Sequence, residues 1–356
     1  MTVLDKLPFK SIQLKARFLL GFLFLWMGCS LPLKLYTFSG QTMGTTYSIK
    51  IVSENSVIDH GKIQKGIDSV LILVNQHLSI WDSSSEISQF NQNKQQVLTR
   101  VSSHLRNVIS NSLKISEATN GAFDITVFDL MSLWGFGPNP GAGSPTDVQI
   151  EEVKNRMGYQ NIIIEPEGVR KLNPDIKLDV NAIAKGYGVD QIFEWTLENG
   201  FENVFVEIGG EVRCAGINQN GQFWRVGIID PKISFLPREE LSAIVHLDGK
   251  AMATSGNYRN FIEKNGQILG HTIDPRTGFP IETDVLFVSV ITHSCMEADG
   301  WATALMVLNF EEGNKLISER RDLNVLWIVE TKDAQRRIEK TPEFIKNTRK
   351  ARRLRL

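Results

Sequence analysis

The chain has 356 residues, 42% of them hydrophobic and 22% charged, with a formal net charge of -1. That is the composition of a globular protein long enough to bury a sizeable core in one large domain or two ordinary ones. The near-zero charge excludes a global field that would recruit nucleic acid, and three cysteines (Cys29, Cys214, Cys295) give neither a zinc spacing nor a disulfide framework.

The N-terminus places Lys6, Lys10, Lys15 and Arg17 ahead of "FLLGFLFLWMGCS". A basic region, a short apolar run and small residues have the layout of a secretory signal. The run from Phe18 to Met27 is too short to span a bilayer comfortably. It ends in Gly28-Cys29, which resembles a bacterial lipoprotein cleavage box, although Trp26 is unusual in one. Residues 1–28 are therefore expected to be a signal peptide, with a lipid on Cys29 holding the protein at a membrane. An uncleaved anchor or an ordinary signal peptide would export the domain equally well. The expected domain is 29–345. The remaining 346–356 is read as a basic tail, with six Lys/Arg after Ile345 that could touch anionic lipid.

After Ser30, alternation and β-branched residues predict a strand pair with a turn near Gly40. Apolar spacing predicts helices over Lys62–Leu78 and Val101–Thr119, with a polar loop or short helix between them. "NGAFDITVFDLMSLWGFGPNPGAGSP" ends in a Gly/Pro-rich loop that could serve as a flap. "QNIIIEPEGVRKLNPDIKLDV" reads as strand, turn, strand. "NAIAKGYGVDQIFEWTLENG" reads as a helix of about five turns stopped by Gly200. "NVFVEIGGEVRCAG" is a strand entering a Gly-Gly turn, and "QFWRVGIIDP" and "SAIVHLDGKAMATSG" are strands. "DVLFVSVITHS" is a strand feeding the helix "MEADGWATALMVL", where Ser294 and Glu297 fit a capping box. Neighbouring strands look hairpin-joined. The expected class is α+β, with mixed, largely antiparallel sheets and packed helices.

Four places could carry chemistry. Asp179 ends a strand, and Lys185 lies in the first turns of a helix, whose N-terminus suits phosphate. An ordinary surface lysine would look the same, and no Walker loop is present. Gly209-Gly210 would let backbone approach a ligand or make a tight hairpin. His271 sits among Asp274, Thr277 and other polar groups and could accept a proton near neutral pH, or be structural. Asp299 and Thr303 share a helix face at i and i+4. Their oxygens suit Mg²⁺ completed by substrate phosphates, and a hydrogen bond or a helix-dipole interaction would also account for them.

Taken together, "TMGTTYSI", "LSIWDSSSEISQFN", "GAFDITVFDLMSLWGFGP", "KLDVNAIAKGYGVD", "VEIGGEVRCAG", "MATSGNY", "GHTIDPRTGFPI" and "EADGWATALMVL" resemble the ordered motifs of the ApbE-like FAD:protein FMN transferases. The resemblance runs from about Thr42 to Leu308. It implies an ApbE-like fold and an enzyme that binds FAD with Mg²⁺, joins its FMN moiety to a Thr or Ser hydroxyl of a target protein, and releases AMP. It implies acceptor flavoproteins such as subunits of membrane redox complexes, and an exported, lipid-anchored protein on the periplasmic face of a bacterial membrane. Carried over to this chain, Met43 and Trp81 flank the flavin. Ala122, Phe123 and Asp124 line the adenosine or ribose site. Asp179 and Lys185 contact FAD, and Ile273 packs on it. The carbonyl of Ala182 and the side chains of Asp299 and Thr303 hold Mg²⁺, and His271 is the candidate base. Trp81 stands where relatives often have Tyr. Ala302 stands where some have an acid, which puts a second metal site in doubt. Two other readings share these residues: a Mg²⁺-dependent FAD pyrophosphatase giving FMN and AMP, and a non-catalytic flavin-binding lipoprotein.

Overall fold

A computed structural model of the chain describes residues 32–54, 57–96, 98–141, 143–229, 241–256, 261–264, 267–270, 272–331, 333, 335–346 and 348–349. It begins with a hairpin of β1 (Lys34–Thr42) and β2 (Thr45–Ser53). The turn is Met43-Gly44, with φ of 49° and 71°, the pair of positive values that matches strand twist in a two-residue hairpin. The turn expected near Gly40 therefore lies three residues on. Gly40 pairs with Tyr47 inside the hairpin, and a Cβ there would lie 2.7 Å from the Tyr47 ring.

Helix α1 (His60–Leu78) is capped by Asp59, which accepts from the Lys62 N–H at 2.9 Å. Its buried stripe is Ile63, Ile67, Leu71, Val74 and Leu78. The short α2 (Glu86–Gln92) and the amphipathic α3 (Ser103–Ala118) follow. Next come α4 (Phe128–Leu133), α5 (Asp147–Lys154) and a separate hairpin of β3 (Ile162–Glu165) and β4 (Gly168–Lys171). Helix α6 (Asn181–Glu198) stops as its sequence predicts: Gly200 N–H donates to Leu197 O and Phe201 N–H to Thr196 O, the paired bonds of a glycine-terminated helix.

The chain continues through β5 (Asn203–Ile208), β6 (Glu211–Ala215), β7 (Trp224–Ile229), β8 (Leu241–Leu247) and β9 (Lys250–Gly256). A small hairpin, β10 (Phe261–Lys264) and β11 (Gln267–Gly270), precedes β12 (Val285–Thr292) and α7 (Cys295–Val307). The last elements are α8 (Phe310–Ser318), β13 (Asn324–Glu330), β14 (Arg336–Lys340), α9 (Pro342–Lys346) and β15 (Thr348–Arg349).

Eight strands form one sheet in the order β1-β2-β5-β6-β9-β12-β13-β14. Every neighbouring pair in it is antiparallel. This is the expected α+β class. The stretch "SAIVHLDGKAMATSG" is divided between sheets: β8 joins β7 and β15 in a three-stranded sheet, while β9 enters the large one. Thr348–Arg349 pair with Ile244–Val245, so the basic end begins inside the fold. Helix α7 lies in the core, with eleven of its 13 residues buried. That near-complete burial explains why its sequence is apolar on all sides.

Candidate active site

Helices α6 and α7 touch where α6 carries Gly186. A Cβ at Gly186 would sit 2.2 Å from the Cys295 carbonyl oxygen and 2.8 Å from the Asp299 Cβ. The missing side chain lets the two backbones meet. Asp299 exploits the contact: its Oδ2 accepts from the Gly186 N–H at 2.9 Å. In a regular helix that N–H serves the Ala182 carbonyl, four residues earlier. The Ala182 carbonyl in turn accepts from Thr303 Oγ1 at 3.5 Å. The i, i+4 pair read from the sequence thus faces the first turn of α6, and Ala182, Asp299 and Thr303 form one corner.

The N-terminus of α7 has its own anion. Asp190, on α6, accepts from Ser294 Oγ at 2.7 Å and from the Cys295 and Met296 N–H groups at 2.9 Å. Arg213 holds the same carboxylate at 2.9 Å and bridges to Glu194 at 2.8 Å. Asp190 therefore supplies the helix-dipole complement, and Asp299 is not needed for it. The expected capping box forms in its forward half, with Ser294 Oγ accepting from the Glu297 N–H at 3.3 Å.

Lys185, one residue before Gly186, points its Nζ at two acids. Glu211 Oε1 is 3.0 Å away and Asp299 Oδ1 3.8 Å away. Burial works to lower the lysine pKa, but Asp299 and Glu211 more than offset it, so the ammonium stays charged above the ordinary lysine range. Burial pushes the Glu211 carboxyl up to about 8 against the pull of Lys185. It also raises Asp299.

These groups line one cavity of about 1350 Å³. One side of it is the β1–β2 turn, where Met43 holds its strained positive φ, and the exposed Trp81, at 65% of its free surface. A second side is the segment Ala122–Asp124. Ala122 and Phe123 belong to the core beneath it. Asp124 is pinned by the Thr126 N–H and Oγ1 and by the Tyr159 N–H, at 2.7–2.9 Å. Its carboxylate fixes this loop, and burial raises its pKa despite those bonds.

Asp179, just before α6, also faces the cavity. It accepts from the Asn181 N–H at 2.9 Å, and burial pushes its pKa up to about 6. It takes one of the N–H groups expected to greet a phosphate, which leaves Lys185 as the nearby positive charge. Ile273 packs with Leu130, Ile150 and Val153 and shows a face to the cavity. It enters a turn at Asp274–Gly278, closed by Gly278 N–H to Asp274 O at 2.7 Å. The Gly/Pro-rich loop forms a further wall through Gly135, Phe136, Gly137 and Pro140. Trp134 Nε1 ties it to the Gly278 carbonyl at 2.8 Å.

All the cofactor and metal candidates read from the sequence therefore meet at one cavity. His271 lies outside the described residues, although Thr272, the next residue, lines the cavity. Glu211 and Asp190 were missed. For Glu211 the signal was an acid directly after a Gly-Gly turn. For Asp190 there was none, because its partners at the start of α7 are more than 100 residues away in sequence.

The oxygen set suits a hard cation. Among the described residues no three His, Cys, Asp or Glu side chains come together as a metal site. One carboxylate, one hydroxyl and one carbonyl are the sparse set that Mg²⁺ accepts when phosphate and water complete its shell. Among the described residues Glu211 Oε2 is buried without a hydrogen-bond partner, which leaves a half-satisfied polar group beside this corner.

The chain is similar to known proteins over most of its length. The ApbE family profile matches residues 43–327. The FAD:protein FMN transferase of Vibrio cholerae serotype O1 is 38% identical over 315 residues, 88% of this chain and 93% of that protein. The solved flavin transferase ApbE from Vibrio cholerae superposes with a TM-score of 0.81 at 36% identity, covering 89% of this chain and 100% of its own. The apo form of Pseudomonas stutzeri flavinyl transferase ApbE superposes with a TM-score of 0.79 at 32% identity, covering 88% and 97%.

Proposed function

The chain belongs to the ApbE family, and on that premise we infer that it is an FAD:protein FMN transferase. It takes FAD and moves the FMN moiety onto a protein. The finer reading is that a Thr or Ser hydroxyl of the acceptor attacks the FMN phosphorus, a phosphoester forms, and AMP leaves. The observation that carries this reading is the meeting of Ala182, Asp299, Thr303 and Lys185 in one corner of a cavity large enough for a dinucleotide.

Phosphoryl transfer depends mainly on positioning and on neutralising charge. The Ala182 carbonyl, Asp299 and Thr303 would hold Mg²⁺, which when bound polarises phosphoryl oxygens and eases departure of AMP. Lys185 stays protonated between its two carboxylates and offers a point charge to the pyrophosphate. Met43 and Trp81 flank the flavin at the mouth, and Ala122–Asp124 with Ile273 shape the opposite walls. His271 is the base assigned to the acceptor hydroxyl; proton removal requires it within about 3 Å in the productive complex. The signal-like N-terminus supports export and a lipid on Cys29, on the periplasmic face of a bacterial membrane. Subunits of membrane redox complexes are acceptors within reach of such a tether. Residues 1–31 lie outside the described structure.

Intact-mass spectrometry tests this reading. The full-length protein is mixed with FAD, MgCl₂ and an acceptor domain carrying a Ser/Thr flavinylation motif. The acceptor gains the mass of FMN less water, only with magnesium, and His271→Ala slows the gain strongly while FAD binding persists. An unmodified acceptor with FAD split to FMN and AMP would instead establish the pyrophosphatase. Equal rates with and without the histidine would remove it as the base.

A further inference from the structure

We propose that Glu211 is a positioning residue: it holds the Lys185 ammonium off Asp299, and so sets how tightly the corner of Ala182, Asp299 and Thr303 takes a divalent cation. The inference rests on the reading of that corner as the cation site.

The placement of Glu211 is built. It opens β6 directly after Gly209-Gly210, whose φ values of 63° and 104° make the turn. A Cβ at Gly209 would lie 2.9 Å from Thr45 and 3.3 Å from Glu211 Oε2, so the turn leaves room for the carboxylate. The Glu211 side chain is 5% exposed, yet it borders the cavity. One oxygen takes Lys185 at 3.0 Å, while the other has no hydrogen-bond partner among the described residues. A buried carboxylate left half satisfied is costly to keep. Its ion pair with Lys185 therefore points to its role.

Asp299 divides its oxygens differently. Oδ2 is spent on the Gly186 N–H at 2.9 Å. Oδ1 is the oxygen facing Lys185, at the longer distance of 3.8 Å. A lysine paired fully with Oδ1 would compete with a cation for it. Glu211 offers the ammonium a nearer partner and leaves Oδ1 available. The charges agree: with both acids ionised, two carboxylates and one ammonium leave the corner one negative charge. Removing Glu211 leaves none, and removing Lys185 leaves two.

Thermal midpoints of the full-length protein, followed against MgCl₂ alone at constant ionic strength, report apparent cation affinity. Glu211→Gln weakens apparent Mg²⁺ affinity about tenfold or more, and Lys185→Gln strengthens it. The double variant returns to near the wild-type value, a recovery that mere damage to the fold would not produce. An unchanged affinity in Glu211→Gln, or a double variant no better than that single one, would overturn the proposal. If Glu211→Gln does not fold, Lys185→Gln decides: Mg²⁺ affinity equal to or below wild type overturns it. Asp299→Ala separates the two levels. Wild-type binding that survives Asp299→Ala overturns the cation corner itself. Binding lost in Asp299→Ala but untouched in Glu211→Gln overturns only the role of Glu211.

Discussion

Asp179 is 8% exposed, accepts one backbone N–H and faces a cavity rather than a basic partner. Burial raises its pKa to about 6, against about 4 in an unfolded chain. The folded state favours the protonated acid, so this group's contribution to stability is fully present below about pH 4 and is lost as pH rises to about 6. Above that range the ionised carboxylate costs on the order of 3 kcal/mol. Asp179→Asn should therefore raise the melting temperature of the ligand-free protein at pH 7 and leave it nearly unchanged at pH 4. Calorimetry at the two pH values checks this, and an equal shift at both would contradict it. On the proposed reading of Asp179 as an FAD contact, the same variant should bind FAD more weakly. Asp124 differs, because three hydrogen bonds spend its carboxylate on the loop that it shapes.

The crossing of α6 and α7 gives the site its geometry. Gly186 is the contact, and the atom nearest a new Cβ there is backbone, which cannot rotate away. Gly186→Ala should push the helices apart, with a loss of about 1–3 kcal/mol. It should also separate Asp299 from Ala182, so Mg²⁺-dependent transfer falls further than stability alone accounts for. Denaturant melts and transfer rates on one preparation test both; a variant with wild-type stability would refute the close contact. Much at this scale was legible in the sequence. Asp299 and Thr303 declare a shared face through their spacing alone, and the Gly200 stop and the Asp274–Gly278 turn are local. What escaped is non-local. Asp190 looks like one more polar residue in a helix until α7 docks on it. Gly40 looks like a turn until the Tyr47 ring is placed across from it. Glu211 gains meaning only when Lys185 arrives from another element.

Over the whole molecule, the cavity lies where the two larger sheets and the helices converge. Val226, Gly227 and Ile228 of β7 reach it from the three-stranded sheet, and Met252, Thr254, Ser255 and Gly256 of β9 from the eight-stranded one. No repeat or charge pattern announces that convergence, because it depends on β8 and β9 parting between Leu247 and Lys250. Among the described residues no helix is long and apolar enough to cross a membrane. On the proposed reading this cavity brings FAD and a hard cation together at Ala182, Asp299 and Thr303. The most direct test is an anomalous difference map from crystals grown with FAD and Mn²⁺. The expected result is one Mn²⁺ peak within ligand distance of the Ala182 carbonyl, Asp299 and Thr303, with FAD bound in the same cavity. FAD bound with no peak there, or with the metal held elsewhere, would contradict the account.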